Sequence, residues 1–283
     1  MHELLLFGQV PRSRHEQVLK ILAGIAAMQP QRVIERHVVY KPQREPEEPG
    51  SNLRRGGSQG VAQKQAKQTA AKDLYFTQLV QSVSEGDFTT YKNTPNGPSN
   101  SKAAGGVGDS TSKNKWTFQF HDVPDTGDKG ATVRMTSSTD VVEGDPHAYM
   151  VALGNNYVSE YYVEGHRFVH KDIVILLHRI LQEPGIQPGQ TSPKPSLPVF
   201  DSLKPLDPSG GYILQASIRV QDLGRPGILD MGVEELKGFK NLIKGCVELD
   251  VPDRLLLDTR VKYQPKPFVV PRPTTTPAQS ATR

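Results

Sequence analysis

The feature that most constrains this chain is the run from Tyr212 to Val220, where apolar and polar side chains alternate. Tyr212, Leu214, Ala216, Ile218 and Val220 fall on one side and Gln215, Ser217 and Arg219 on the other, because successive side chains of an extended strand point to opposite faces. The same period recurs upstream. Trp116, Phe118 and Phe120 alternate with Thr117, Gln119 and His121; Val133 and Met135 alternate with Thr132, Arg134 and Thr136. Tyr157, Tyr161 and Val163 share a face against Val158, Glu160, Tyr162 and Glu164. Glu164-Gly165-His166 reads as a tight turn into the apolar run from Phe168 to Leu181. Several period-two strands joined by turn signals predict an antiparallel, multi-stranded β-barrel, closed or nearly so.

Helices are few. His2 to Val10, with Leu4, Leu5, Leu6 and Phe7 in succession, fits a strand buried on both faces. Ser13 and Glu16 have capping-box spacing and predict a helix start. Val18, Leu22 and Ile25 then form its apolar stripe, and Pro30 ends it. Val33 to Tyr40 reads as a strand. Near the end, Leu229, Val233, Leu236, Phe239 and Ile243 recur at helical spacing, and Cys246 to Val251 reads as a strand after that helix. The fold class is therefore β-rich α+β, a barrel with a few outer helices.

Glycine and proline, 25 and 23 in number, concentrate in three stretches. Residues 42–72 and 86–115 lack the apolar content for a core and read as long disordered insertions within a single domain spanning 1–263; 264–283 reads as a disordered Pro-rich tail. The only cysteine, Cys246, excludes an intramolecular disulfide and suits a reducing compartment. No apolar run approaches the ~20 residues that span a bilayer, and the first ten residues lack the pattern of a secretory signal, so a soluble, intracellular chain without membrane contact is expected. Between residues 49 and 72 stand Arg54, Arg55, Lys64, Lys67 and Lys72 with no acids, a charge of +5 against +4 for the whole chain. A solvated linker accounts for this without a nucleic-acid partner; nucleic-acid binding through that loop is the alternative.

No motif for chemistry stands out. Gly105-Gly106-Val107-Gly108 lacks the Gly-Lys-Ser/Thr of a phosphate-binding loop. His166 and His170, four apart on a strand, sit ~13 Å from each other, too far to share a metal. Glu160 with Glu164, and Glu248 with Asp250, share strand faces. Facing inward in a closed barrel, such pairs would hold a divalent metal and a triphosphate, with Arg134, Arg167 and Arg219 as the available cations. Facing solvent they would do nothing. No catalytic, metal or cofactor residues are assigned.

Seven stretches together resemble a known family: FGQVP near the start, ERHVVYKP at 35–42, WTFQFHDVP at 116–124, RMTSSTD at 134–140, EYYVEGHRFVHKDIV at 160–174, LQASIRVQD at 214–222 and VPDRLLLDTRVK at 251–262. In this order they are similar to subunit 18 of Mediator, the coactivator of RNA polymerase II, in its fungal form. The resemblance implies a nuclear, non-catalytic subunit of the Mediator head module, with a barrel fold. It implies pairing with subunit 20, binding of a helix of subunit 8, and indirect coupling of regulators to RNA polymerase II. The implied fold is related to tunnel-type, metal-dependent RNA 5′-triphosphatases, which carry paired E-x-E motifs. Here the only literal E-x-E, Glu45 and Glu47, lies in a Pro-rich loop, so the enzyme is the alternative and not the leading reading. A barrel leaves few free edges, so partners would dock on loops or grooves. The candidates are the turn Gly165, His166, Arg167 and Phe168, and the segment carrying Asp253, Arg254, Asp258 and Arg260, whose charges could equally pair among themselves.

Overall fold

The protein is described here by a computed structural model covering residues 1–46, 73–88, 115–127, 129–185, 190–221 and 227–264. Most of the two insertions, including the basic stretch 49–72, and the tail lie outside the described residues. Met1–Arg44 and Asp73–Val261 form one compact unit.

Its frame is β1 (His2–Val10), β2 (Gln31–Pro42), β3 (Thr77–Val83), β4 (Trp116–His121), β5 (Thr132–Val141), β6 (Asn155–His170), β7 (Ile173–Gln182), the short β8 (Lys204–Pro205) and β9 (Tyr212–Val220). The order β6-β2-β3-β4-β5-β1-β9-β7, with a further β6–β7 ladder, closes eight antiparallel strands into a barrel; β8 adds to β7 outside the closure. Helices α1 (His15–Ala26), α2 (Pro146–Ala152) and α3 (Ile228–Leu242) complete it. An eight-stranded barrel has room inside for side chains only, so the helices pack outside.

That placement decides which face of each strand is which. Leu4 and Leu6 of β1, Leu214, Ala216 and Ile218 of β9, and Ile175 and Leu177 of β7 form one core with Val18 and Leu22 of α1 and Val233, Leu236 and Phe239 of α3. The apolar face of these strands is therefore the outer one, beneath helices. The intervening face lines the interior, polar at Glu3, Ser217 and Arg219 but apolar at Leu5, Val174 and Leu176. Gly232 of α3 lies against Leu4, where a Cβ would collide with the leucine.

Several local expectations are corrected. Glu164-Gly165-His166 is not a turn: β6 runs unbroken through it, with Gly165 opposite Val33 on one side and His178 on the other. The turn falls at Lys171, in the left-handed conformation at φ 54°. Gly165 serves close approach instead, since an added Cβ would meet the Leu177 carbonyl and lie 2.7 Å from His178 Cα. The Ser13–Glu16 capping box does not form, because Arg12–Arg14 make a 3-10 turn running straight into α1 and place Arg14 at the cap. Cys246 to Val251 is not a strand; within it only Asp250 bridges, to Phe7 of β1. Helix α2, started by Asp145 accepting from the His147 amide with Pro146 in the first turn, was not foreseen.

Candidate functional site

The barrel interior carries the first concentration of charge. Glu3 of β1 lies opposite Arg134 of β5 and Arg219 of β9. Its carboxylate accepts from Arg134 Nε and Nη2 at 3.0 and 2.7 Å and from Arg219 Nε at 3.5 Å. Burial alone would raise the pKa of Glu3, but the charge and hydrogen bonds of Arg134 outweigh it and hold the group below its ordinary value. His121 of β4, bonded to Thr136 Oγ1 at 3.0 Å, is lowered to about 4 by burial and by Arg134. Farther round, His37 lies between Gln78 at 3.0 Å and Glu35 at 3.1 Å and stacks on Tyr161. This part of the interior is thus filled by side chains that pair with one another. All three cations weighed from sequence face inward: Arg134 and Arg219 are paired with Glu3, whereas Arg167 lies opposite Leu176 with no ion pair among the described residues.

The carboxylates weighed for metal chemistry face the other way. Glu160 lies on the outer face of β6, buried under the segment at Lys194, and receives Arg36 Nη2 at 2.8 Å and Tyr162 Oη at 2.6 Å. Glu164 pairs with Arg32 and Arg179. Glu248 accepts from the Gly245 amide, and Asp250 pairs with Lys240, both off the strands. No group of three or more His, Cys, Asp or Glu side chains placed to hold a metal ion occurs among the described residues. Two of these carboxylates, Glu160 and Glu164, are held on the outer face by arginines, so the arrangement required for the triphosphatase alternative is not assembled.

The second sequence candidate resolves into a strap. After α3 the chain bridges β1 at Phe7, where Phe7 and Asp250 exchange two backbone hydrogen bonds of 3.0 and 2.7 Å. It makes a 3-10 turn over Arg254–Leu257, opened by Asp253 accepting from the Leu255 amide. It then joins the segment before β3: Phe76 N donates to Thr259 O and Val261 N to Leu74 O. The hydroxyl of Thr259 donates to the His121 carbonyl at the end of β4. Residues 250–261 therefore cross from β1 to β3 over one end of the barrel. Arg260 grips Asp258 through Nε and Nη2 at 2.9 and 3.0 Å, with Asp73 3.6 Å away, so these candidate charges are used within the fold. Leu255 and Leu256, at the crest, are 61% and 78% exposed. Grooves flank the strap: one of about 620 Å³ lined by Pro124, Lys129, Thr132, Lys240 and Arg254, and one of about 770 Å³ lined by Phe7, Ile213, Val247, Pro252 and Leu257.

The other candidate segment is not comparable. Phe168 is fully buried in the α1–α3 core, and Arg167 faces inward opposite Leu176. His166 lies on the outer face, its ring 5.8 Å from that of His15 in α1, with its Nδ1 buried and unbonded. Sequence reasoning gave Glu3, Glu35 and Arg36 no functional role. The available signal was their position in strands otherwise rich in apolar residues.

These features define a class, the closed antiparallel barrel with a partly polar, side-chain-filled interior, braced by outer helices and strapped at one end. The Med18 protein family model matches residues 2–260. Mediator of RNA polymerase II transcription subunit 18 of Coccidioides immitis is 41% identical over 269 residues, 93% of this chain and 100% of that one. The protein of the same name from Neosartorya fischeri is 39% identical over 278 residues, again 93% and 100%. The chain belongs to the Mediator subunit 18 family. A chain in the Schizosaccharomyces pombe Mediator head module shares the fold, with a TM-score of 0.59 at 18% identity, covering 89% of this chain and 99% of that one.

Proposed function

We propose that this protein is a non-catalytic structural subunit of the Mediator head module in the nucleus, and that it binds other Mediator subunits to help couple regulators to RNA polymerase II. Its partners on this reading are subunit 20 and a helix of subunit 8, with no membrane or nucleic-acid ligand. The barrel supplies the rigid part. The observation that carries the reading beyond family membership is the strap. A segment tied at both ends by backbone hydrogen bonds presents two exposed leucines between two grooves. Exposed large apolar groups held rigidly beside concave surfaces favour protein docking, because little ordering entropy is lost on binding. Glu3, Arg134 and Arg219 already satisfy one another inside the barrel, which supports a scaffold over an enzyme.

The test is purification of the tagged protein from nuclear extract at moderate salt, followed by mass spectrometry. Mediator head subunits are expected among the retained proteins. Recovery of the chain alone would overturn the reading.

A further inference from the structure

The groove on the Lys240 side of the strap holds an unmatched cation. Lys129 is paired with Asp125 at 2.9 Å and Lys240 with Asp250 at 2.8 Å. Arg254 has no hydrogen-bond or ion-pair partner among the described residues, and its Nε is buried without an acceptor. Thr132 contributes to the wall of the same groove, next to Ala131 and Val133. A guanidinium donor shut away from both water and an acceptor is costly, and that cost is removed when an oxyanion draws the side chain out to meet it.

We propose that this groove seats one carboxylate, from an Asp or Glu side chain of a protein segment lying across the strap. The proposal rests on the reading that the strap is a docking surface and adds which chemistry docks there. With both lysines neutralised by aspartates, the groove offers a single net positive charge, which matches a monoanion. A phosphate would bring a second charge with no free cation to meet it. Arg254 presents a planar fork suited to the two oxygens of a carboxylate. Leu255 and Leu256 follow Arg254 directly and stand exposed, so the matching segment carries apolar residues beside its acidic one.

The test uses the full chain and capped peptides identical except for a central aspartate, asparagine or phosphoserine between leucines. Binding is followed by NMR at the amides of Gly127, Gly130 and Thr132. The aspartate peptide is expected to bind at least about threefold more tightly than the asparagine peptide, with the difference shrinking in high salt. Arg254→Gln should erase the preference. Arg254→Lys, which keeps the charge without the fork, should leave an intermediate one and decides the matter if the Gln variant is poorly folded. Equal binding of the two peptides, or a preference that survives both substitutions, overturns the proposal. Tighter Arg254-dependent binding of the phosphoserine peptide overturns the choice of a monoanion. Purified head subunits form a separate arm: if they fail to bind the unaltered chain the docking reading falls, while the peptides still decide the chemistry of the groove.

Discussion

Replacing Glu160 by alanine tests the outer wall most sharply. The carboxylate and its partner Arg36 are 6% and 5% exposed, joined by two hydrogen bonds of 3.2 and 2.8 Å. Removing one member of a buried pair strands the other charge, at a cost of about 3–5 kcal/mol. Arg36 keeps two consolations in the variant, the Lys194 carbonyl at 2.7 Å and the Trp116 ring at 5.7 Å, which places the loss near the lower end, about 3 kcal/mol. For a unit of this size that lowers Tm by roughly 6–12 °C. Trp116 is the only tryptophan and lies against Arg36, so urea unfolding followed by its fluorescence reads the site directly. The double variant Arg36→Met with Glu160→Leu should recover at least about 1 kcal/mol over Glu160→Ala, because it removes both charges and leaves the neutral Tyr162 hydroxyl, not a charge, without its acceptor. A loss below about 1 kcal/mol for Glu160→Ala, or a double variant as unstable as the single, would refute the reasoning.

Three further outcomes are expected. His121 is lowered in the folded state to about 4 from its ordinary 6.5, so its contribution is complete above about pH 6.5 and is lost as pH falls toward 4. Glu3 and Glu35, both lowered, add losses only below their ordinary carboxylate range. In urea titrations His121→Gln should therefore flatten stability between pH 7 and 5 without removing the steeper fall below; His178, also lowered by burial, keeps part of the upper slope. Gly165→Ala places a Cβ against the backbone of Leu177 and His178 and should cost about 3 kcal/mol or prevent folding, whereas Gly24→Ala, with nothing within 4 Å on an exposed face of α1, should gain about 0.5–1 kcal/mol; paired thermal melts separate the two. Leu255→Asp with Leu256→Asp should leave Tm within about 2 °C of the parent, since both side chains are exposed, yet weaken binding of Mediator head subunits at least about tenfold in a calorimetric titration.

Alternation along the strands made the barrel legible, and the stripe Leu229, Val233, Leu236, Phe239 and Ile243 located α3. What alternation cannot tell is which face looks inward. In β1 and β9 Leu4, Leu6, Leu214 and Ala216 face outward under helices, so Glu3, Arg134 and Arg219 converge on an interior that hydrophobicity alone would have filled with Leu4 and Leu214. Glu160 and Glu164 share a face as expected, but it is the outer one. Gly165 misled because glycine marks both turns and close backbone approach, and only the neighbouring strand distinguishes them. Asp253, Arg254, Asp258 and Arg260 were picked out as an alternating charge pattern. Their assembly into a strap depended on hydrogen bonds to Phe7 and Leu74, residues far away in sequence that no local pattern connects.

Hydrogen–deuterium exchange of the protein, free and with purified Mediator head subunits, tests the docking surface most directly. The strap account predicts slowed exchange at the amides of residues 253–258 on adding the subunits, with the interior strands unchanged. Slowed exchange confined to other surfaces, with the strap exchanging as fast as in the free protein, would contradict it.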